Sequence, residues 1–145
     1  MNNNFTKEYI KECDCEEIQR LRKKLKVWDL CFDRFYKFKI DILMVKTLPN
    51  KFWKTYAMSE QKYMGADYSR NRGKVVWLPT GDQLDEEIVR ISEKSYWSYR
   101  ISVFYSPFVN WRCGVFKPQE EFTELYVLNS NPLIAKIKLL KQLLK

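Results

Sequence analysis

A chain of 145 residues, 46% of them apolar and 16% aromatic, is long enough to bury a core and too apolar to remain disordered. Lysine and arginine number 26 against 18 aspartates and glutamates, giving a net charge of +8 and a pI of about 9.3, a balance that suits an anionic partner. The absence of histidine excludes His-based triads, His proton shuttles and His-ligated metals, and the four glycines cannot assemble a G-x-G-x-x-G or Walker loop.

The amino terminus, Met1-Asn2-Asn3-Asn4-Phe5-Thr6, has neither the basic start nor the apolar stretch of a secretory signal. The longest aliphatic run, Ile42 to Val45, is far short of the roughly 20 residues of a bilayer span. A cytoplasmic protein without a transmembrane segment is expected. Cys13, Cys15, Cys31 and Cys113 offer one C-x-C pair and no C-x2-C knuckle, so free thiols, at least one of them buried, are expected in place of a zinc site, and no cofactor is assigned.

Thr6 is placed to cap a short helix carrying Tyr9 and Ile10, and Ile18, Leu21 and Leu25 mark the core side of a second helix from Cys15 to Leu25. The outer side of that helix gathers Arg20, Arg22, Lys23, Lys24 and Lys26 with no acid among them, which reads as a solvated face or as a secondary anion-binding face. Alternation from Tyr36 to Met44 predicts a strand, preceded by the shorter apolar segment Val27 to Phe32. From Lys51 to Lys74 no period is sustained, so the segment is expected to be a functional loop or to hide a short helix around Phe52 to Met58. Lys74 to Leu78 reads as a strand ended by Pro79. Thr80 then caps a helix whose first turns hold Asp82, Asp85, Glu86 and Glu87 and whose core face is Leu84, Ile88 and Ile91. Those acids complement the helix dipole, which accounts for them without catalysis.

Trp97 to Tyr105 and Val109 to Val115 alternate as a hairpin, with Trp97, Tyr99, Ile101, Trp111 and Cys113 toward the core and Arg100 and Arg112 on the opposite face. Pro118, Glu120 and Glu121 predict a helix through Phe122, Leu125 and Tyr126. Pro132 starts a terminal helix with Leu133, Ile134, Ile137, Leu140, Leu143 and Leu144 on one stripe and Lys136, Lys138, Lys141 and Lys145 outside it, expected to dock on its own sheet in preference to a membrane surface. The interleaving predicts one α+β domain over residues 1–145, a mostly antiparallel sheet with several short helices packed on it.

Three stretches read together: Glu8-Tyr9-Ile10 with Cys13 and Glu17-Ile18-Gln19, Trp77-Leu78-Pro79-Thr80 with Asp82-Gln83-Leu84, and Glu121-Phe122-Thr123-Glu124-Leu125-Tyr126. Their order resembles a loose family of short phage and prophage proteins of uncharacterised function, with an EYI…EIQ opening, a central WLP-x-x-DQL box and a late EqLWL-like helix. The similar proteins often carry Gly-Asp after the first helix and a Trp-containing tail, where this chain has Lys26-Val27 and a Lys/Leu helix. The resemblance implies a mobile-element origin and no particular reaction.

With catalytic machinery missing, the leading expectation is a non-enzymatic phage accessory protein that binds a host macromolecule or sequesters an anionic, nucleotide-like ligand, counter-defence being one such role. A host protein or phosphate-bearing ligand is the expected partner, and self-association is left open. The alternative is sequence-tolerant nucleic-acid binding, because Tyr63, Tyr68, Arg70, Arg72 and Lys74 interleave rings with cations. That pattern lies in the segment 51–74, where six cations stand against two acids, so the functional surface is expected there. Arg100 and Arg112 complete the candidate anion-binding set. A metal-dependent phosphodiesterase using acids alone is third, since no paired acidic motif stands beside a suitable lysine or glycine turn.

Overall fold

In the computed structural model the described residues are 4–33, 42–46, 52–57, 62–69, 75–105, 107–118 and 124–145. They form an α+β architecture with two antiparallel sheets and group into two compact units, Met1–Pro79 and Thr80–Lys145.

In the first unit the Thr6 hydroxyl accepts the Tyr9 N–H at 3.2 Å, capping α1 (Lys7–Cys13) as expected. Tyr9, Ile10 and Cys13 form its buried face. The second helix is shorter than its periodicity predicts. After α2 (Glu16–Gln19) the chain tightens into a 3-10 turn, Arg20–Arg22, because Arg22 swings inward to the buried carboxylate of Asp29, Nη2 to Oδ1 at 3.2 Å, as the chain folds back toward the sheet.

The sheet comprises β1 (Leu30–Asp33), β2 (Ile42–Lys46), β3 (Phe52–Ala57), β4 (Lys62–Ser69) and β5 (Val75–Leu78) in the order β4-β3-β2-β1-β5. Strands β1 to β4 run as a meander, and β5 returns to pair with β1, Leu30 opposite Leu78 and Phe32 opposite Val76. The strand expected from Tyr36 is seen from Ile42 onward, residues 36–41 lying outside the described set. The short helix or loop expected around Phe52 is instead the strand β3, paired on both sides. Lys54 and Thr55 interrupt any apolar alternation in the sequence, yet Phe, Trp, Thr and Tyr favour extended backbone, and pairing with β2 and β4 satisfies it. Tyr9, Ile18, Cys31, Phe32, Val45, Val76, Trp77 and Leu78 are all buried in this unit.

The second unit begins with α3 (Gly81–Lys94), held by a capping box: Thr80 Oγ1 accepts the Gln83 N–H at 3.3 Å and Gln83 Oε1 accepts the Thr80 N–H at 2.9 Å. Leu84 and Ile88 face the core, as their spacing predicts. The helix closes through Tyr96, at a φ of 59°, with the Trp97 N–H bonded to Ser92 O at 3.0 Å. Strands β6 (Ser98–Phe104), β7 (Asn110–Phe116) and β8 (Glu124–Asn129) then form a meander in sequence order. The late helix expected through Leu125 and Tyr126 is therefore corrected to a strand. Its exposure alternates strictly, Leu125 and Val127 more covered than Tyr126 and Leu128, but large apolar residues occupy both sides, so the two-residue period is invisible in hydropathy.

Helix α4 (Pro132–Leu143) starts at Asn131, whose side chain accepts the Leu133 N–H at 2.9 Å, and packs on β7, β8 and α3. It docks on its own sheet, as expected. Leu133, Ile134, Ala135, Ile137, Leu139 and Leu140 are buried, a wider stripe than predicted, and Lys136 turns inward to Asp85 on α3 at 2.9 Å instead of lying outside it. No helix among the described residues is long and apolar enough to cross a membrane. None of the four cysteines is in a disulfide, and Cys13, Cys31 and Cys113 are buried.

Candidate functional site

Helices α3 and α4 cover one face of the three-stranded sheet. Cys113 and Val115 are buried on that side, and the Tyr99 hydroxyl donates to Asp85 Oδ1 of α3 at 2.7 Å. Burial raises the Tyr99 hydroxyl well above its ordinary value of 10.0, with the Asp85 contact adding to the effect, and burial pushes the Cys113 thiol up to about 11. These groups stay protonated and belong to the core.

The alternate residues make the other face, and the register aligns them in rows. Arg100 stands opposite Gly114 and Gly114 opposite Tyr126; Ser102 stands opposite Arg112 and Arg112 opposite Leu128. Two guanidinium groups lie over rings: Arg100 is 4.5 Å from the Phe116 centroid and Arg112 is 4.2 Å from that of Tyr126. Arg112 also donates to Glu124 Oε2 at 2.6 Å. Glycine suits the centre, since a Cβ at position 114 would meet Tyr126 Cβ at 3.0 Å and Leu125 O at 3.2 Å, and these neighbours would have to give by a few tenths of an ångström. Phe104, Tyr126 and Leu128 are 45%, 48% and 53% exposed, and with Asn110 and Arg112 they line a shallow hollow of about 270 Å³. Tyr105, Phe108 and Val109 extend the exposed apolar surface over the hairpin tip.

This face is rich in the side chains that dominate protein interfaces, aromatic rings and arginines pre-oriented by stacking. Among the described residues no group of three Cys, Asp or Glu is placed to hold a metal ion. A second opening of about 720 Å³ lies at the end of α3, where Lys117 Nζ sits 5.1 Å from the Trp97 ring beside exposed Tyr96 and Glu93. It is an open shelf, and neither of the charged residues among its described lining, Glu93 and Lys117, is buried.

Of the residues singled out in the sequence, Arg100 and Arg112 are brought onto one face. Arg70, Arg72 and Lys74 lie outside the described residues. Tyr63 and Tyr68 are positions of the edge strand β4, Tyr63 in register with Tyr56 and Tyr68 with Trp53. The basic run is divided: Arg20 pairs with Glu16, Arg22 turns inward over the Trp77 ring at 4.8 Å, and Lys23, Lys24 and Lys26 remain exposed. Sequence reasoning missed Phe104, Phe116, Tyr126 and Leu128. A signal existed for the first two, because a strand pair needs apolar residues on one face only and these fall on the other. Comparison with family models, curated proteins and solved structures returned no match.

Proposed function

We propose that the chain is a non-enzymatic accessory protein of phage type that acts in the host cytoplasm by docking a host protein on the outer face of the β6-β7-β8 sheet. The observation that carries this reading is the concentration there of exposed Phe104, Tyr126 and Leu128 around two ring-stacked arginines. Apolar surface of this kind, left uncovered by α3 and α4, is the usual mark of an interaction site. The hollow favours a macromolecule over a sequestered small ligand, because about 270 Å³ falls below the roughly 300–1,000 Å³ of pockets that enclose ligands. Charge favours protein over nucleic acid at this face: residues 80–145 carry nine basic against eight acidic residues, and Arg112 is already paired with Glu124. The complementary partner presents apolar side chains and a carboxylate to Arg100. The phage origin rests on the sequence resemblance.

The experiment places a photo-crosslinking side chain at Leu128 on the face, or at exposed Val89 on α3, in host-cell extract. A discrete crosslinked partner from position 128 and none from position 89 is expected. Equal labelling from both positions, no adduct, or an adduct consisting only of a second copy of this chain would contradict the reading.

A further inference from the structure

The basic run ends in a turn that the sheet face does not use. Residues Lys26 to Asp29 form a β-turn closed by the Asp29 N–H to Lys26 O bond of 3.1 Å and by the Lys26 N–H to Asp29 Oδ2 bond of 2.7 Å. Trp28 occupies its third position at a φ of 72°, where glycine or asparagine is the ordinary choice and a bulky ring is an outlier. Trp28 is 63% exposed, so the fold gains little burial from this residue while carrying the strain of its backbone.

The turn is held from beneath. Asp29 is buried and pairs through Oδ1 with Arg22, whose guanidinium stacks over Trp77 of β5. The turn that carries the exposed indole is thereby tied to β5 through Asp29 and Arg22. Just before Trp28 in the chain Lys23, Lys24 and Lys26 are exposed, and no acid pairs with them among the described residues. Residues 1–79 carry seventeen basic against ten acidic residues, almost the whole positive excess of the chain.

We propose that this turn binds single-stranded nucleic acid, a base stacking on Trp28 while neighbouring phosphates meet Lys23, Lys24 and Lys26. A ring among exposed cations is the elementary unit of sequence-tolerant strand binding, because every base has a stacking face and every nucleotide a phosphate. An anionic membrane is the weaker match, since interfacial anchoring draws on a broad apolar face and this turn offers one indole beside Val27. The proposal is separate from the sheet face, and either can fail alone.

The test titrates the full chain with a fluorescent thymidine homo-oligomer, its length in the roughly 4–16-nucleotide range of strand-binding surfaces, at several salt concentrations. Three phosphate contacts on a single strand set an expected slope of log affinity against log salt of about −2. Replacing the three lysines by glutamine should flatten that slope. Trp28→Gly should weaken binding about tenfold or more while the melting temperature holds or rises, because glycine relieves the positive φ. Trp28→Asn, also at home at positive φ, is the second variant, and Leu128→Asp on the sheet face should bind the oligomer like the parent. Three results would each overturn the proposal: no binding by the parent chain, undiminished binding by folded Trp28→Gly and Trp28→Asn, or Trp28-dependent binding to phosphatidylserine vesicles with none to the oligomer.

Discussion

Gln19 completes the edge of the first sheet with a side chain where a strand would otherwise pair. Its Oε1 accepts the Trp77 N–H at 2.8 Å, and its Nε2 donates to Trp77 O at 3.0 Å and to Cys13 O at 2.8 Å. Tyr9 adds a bond from its hydroxyl to Pro79 O at 2.5 Å. The tyrosine and glutamine of the EYI…EIQ opening are thus bonded to the tryptophan and proline of the WLP box, while Gln83 of the same box caps α3. These motif residues hold backbone that would otherwise be buried without partners, a structural role. The local half, Thr80 with Gln83, was legible in the sequence because the partners are three residues apart. The Gln19 to Trp77 bond was not, because 58 residues separate them and periodicity reports nothing at that range.

The core hydroxyl of Tyr99 gives a prediction at the same scale. Its folded value is raised above 10.0, so as pH climbs past 10.0 the unfolded chain loses a proton that the folded chain keeps, and stability falls. The Cys113 thiol, raised from 9.0 to about 11, acts with the same sign and starts earlier. Tyr99→Phe should cost about 1–2 kcal/mol at neutral pH, through the lost bond to Asp85, and should make the alkaline decline shallower. Urea melts from neutral pH to beyond 10.0 check both, and an equally steep decline in the variant would show that Tyr99 is not responsible.

Among the elements, the best-read ones were those whose covered face is apolar and whose ends carry a cap or proline. Helices α1, α3 and α4 and the β6-β7 hairpin meet that condition. The failures share a physical cause. Strand β8 has Tyr126 and Leu128 exposed beside more covered Leu125 and Val127, so its composition suited a helix equally well. Strand β3 is defined by pairing partners that no local pattern announces. Trp111 was expected in the core and is only half-buried, as befits a position near the hairpin tip. The element that carries the second unit is α4: Leu140→Ala, at a fully buried position, should destabilise by about 2–5 kcal/mol, whereas Gln142→Ala on its exposed side should change stability by less than about 0.5 kcal/mol. Equal urea midpoints for the two variants would remove α4 from the core.

For the molecule as a whole, the proposed docking and the packing of the core use opposite sides of one sheet in residues 80–145, while the positive excess is concentrated in residues 1–79. Net charge alone, +8 over the chain, concealed that division. Of the expected site, Arg100 and Arg112 were legible because strand alternation sends both to one face; their stacking was not, since it pairs Arg100 with Phe116 and Arg112 with Tyr126 across strands. The most direct measurement of the docking role is the yield of partner crosslinked at position 128 after Arg100→Glu, a reversal at an exposed position that leaves the core untouched. A roughly tenfold fall in yield with an unchanged melting temperature is expected, from repulsion of the partner's carboxylate. An undiminished yield from the folded variant would contradict the assignment of this face.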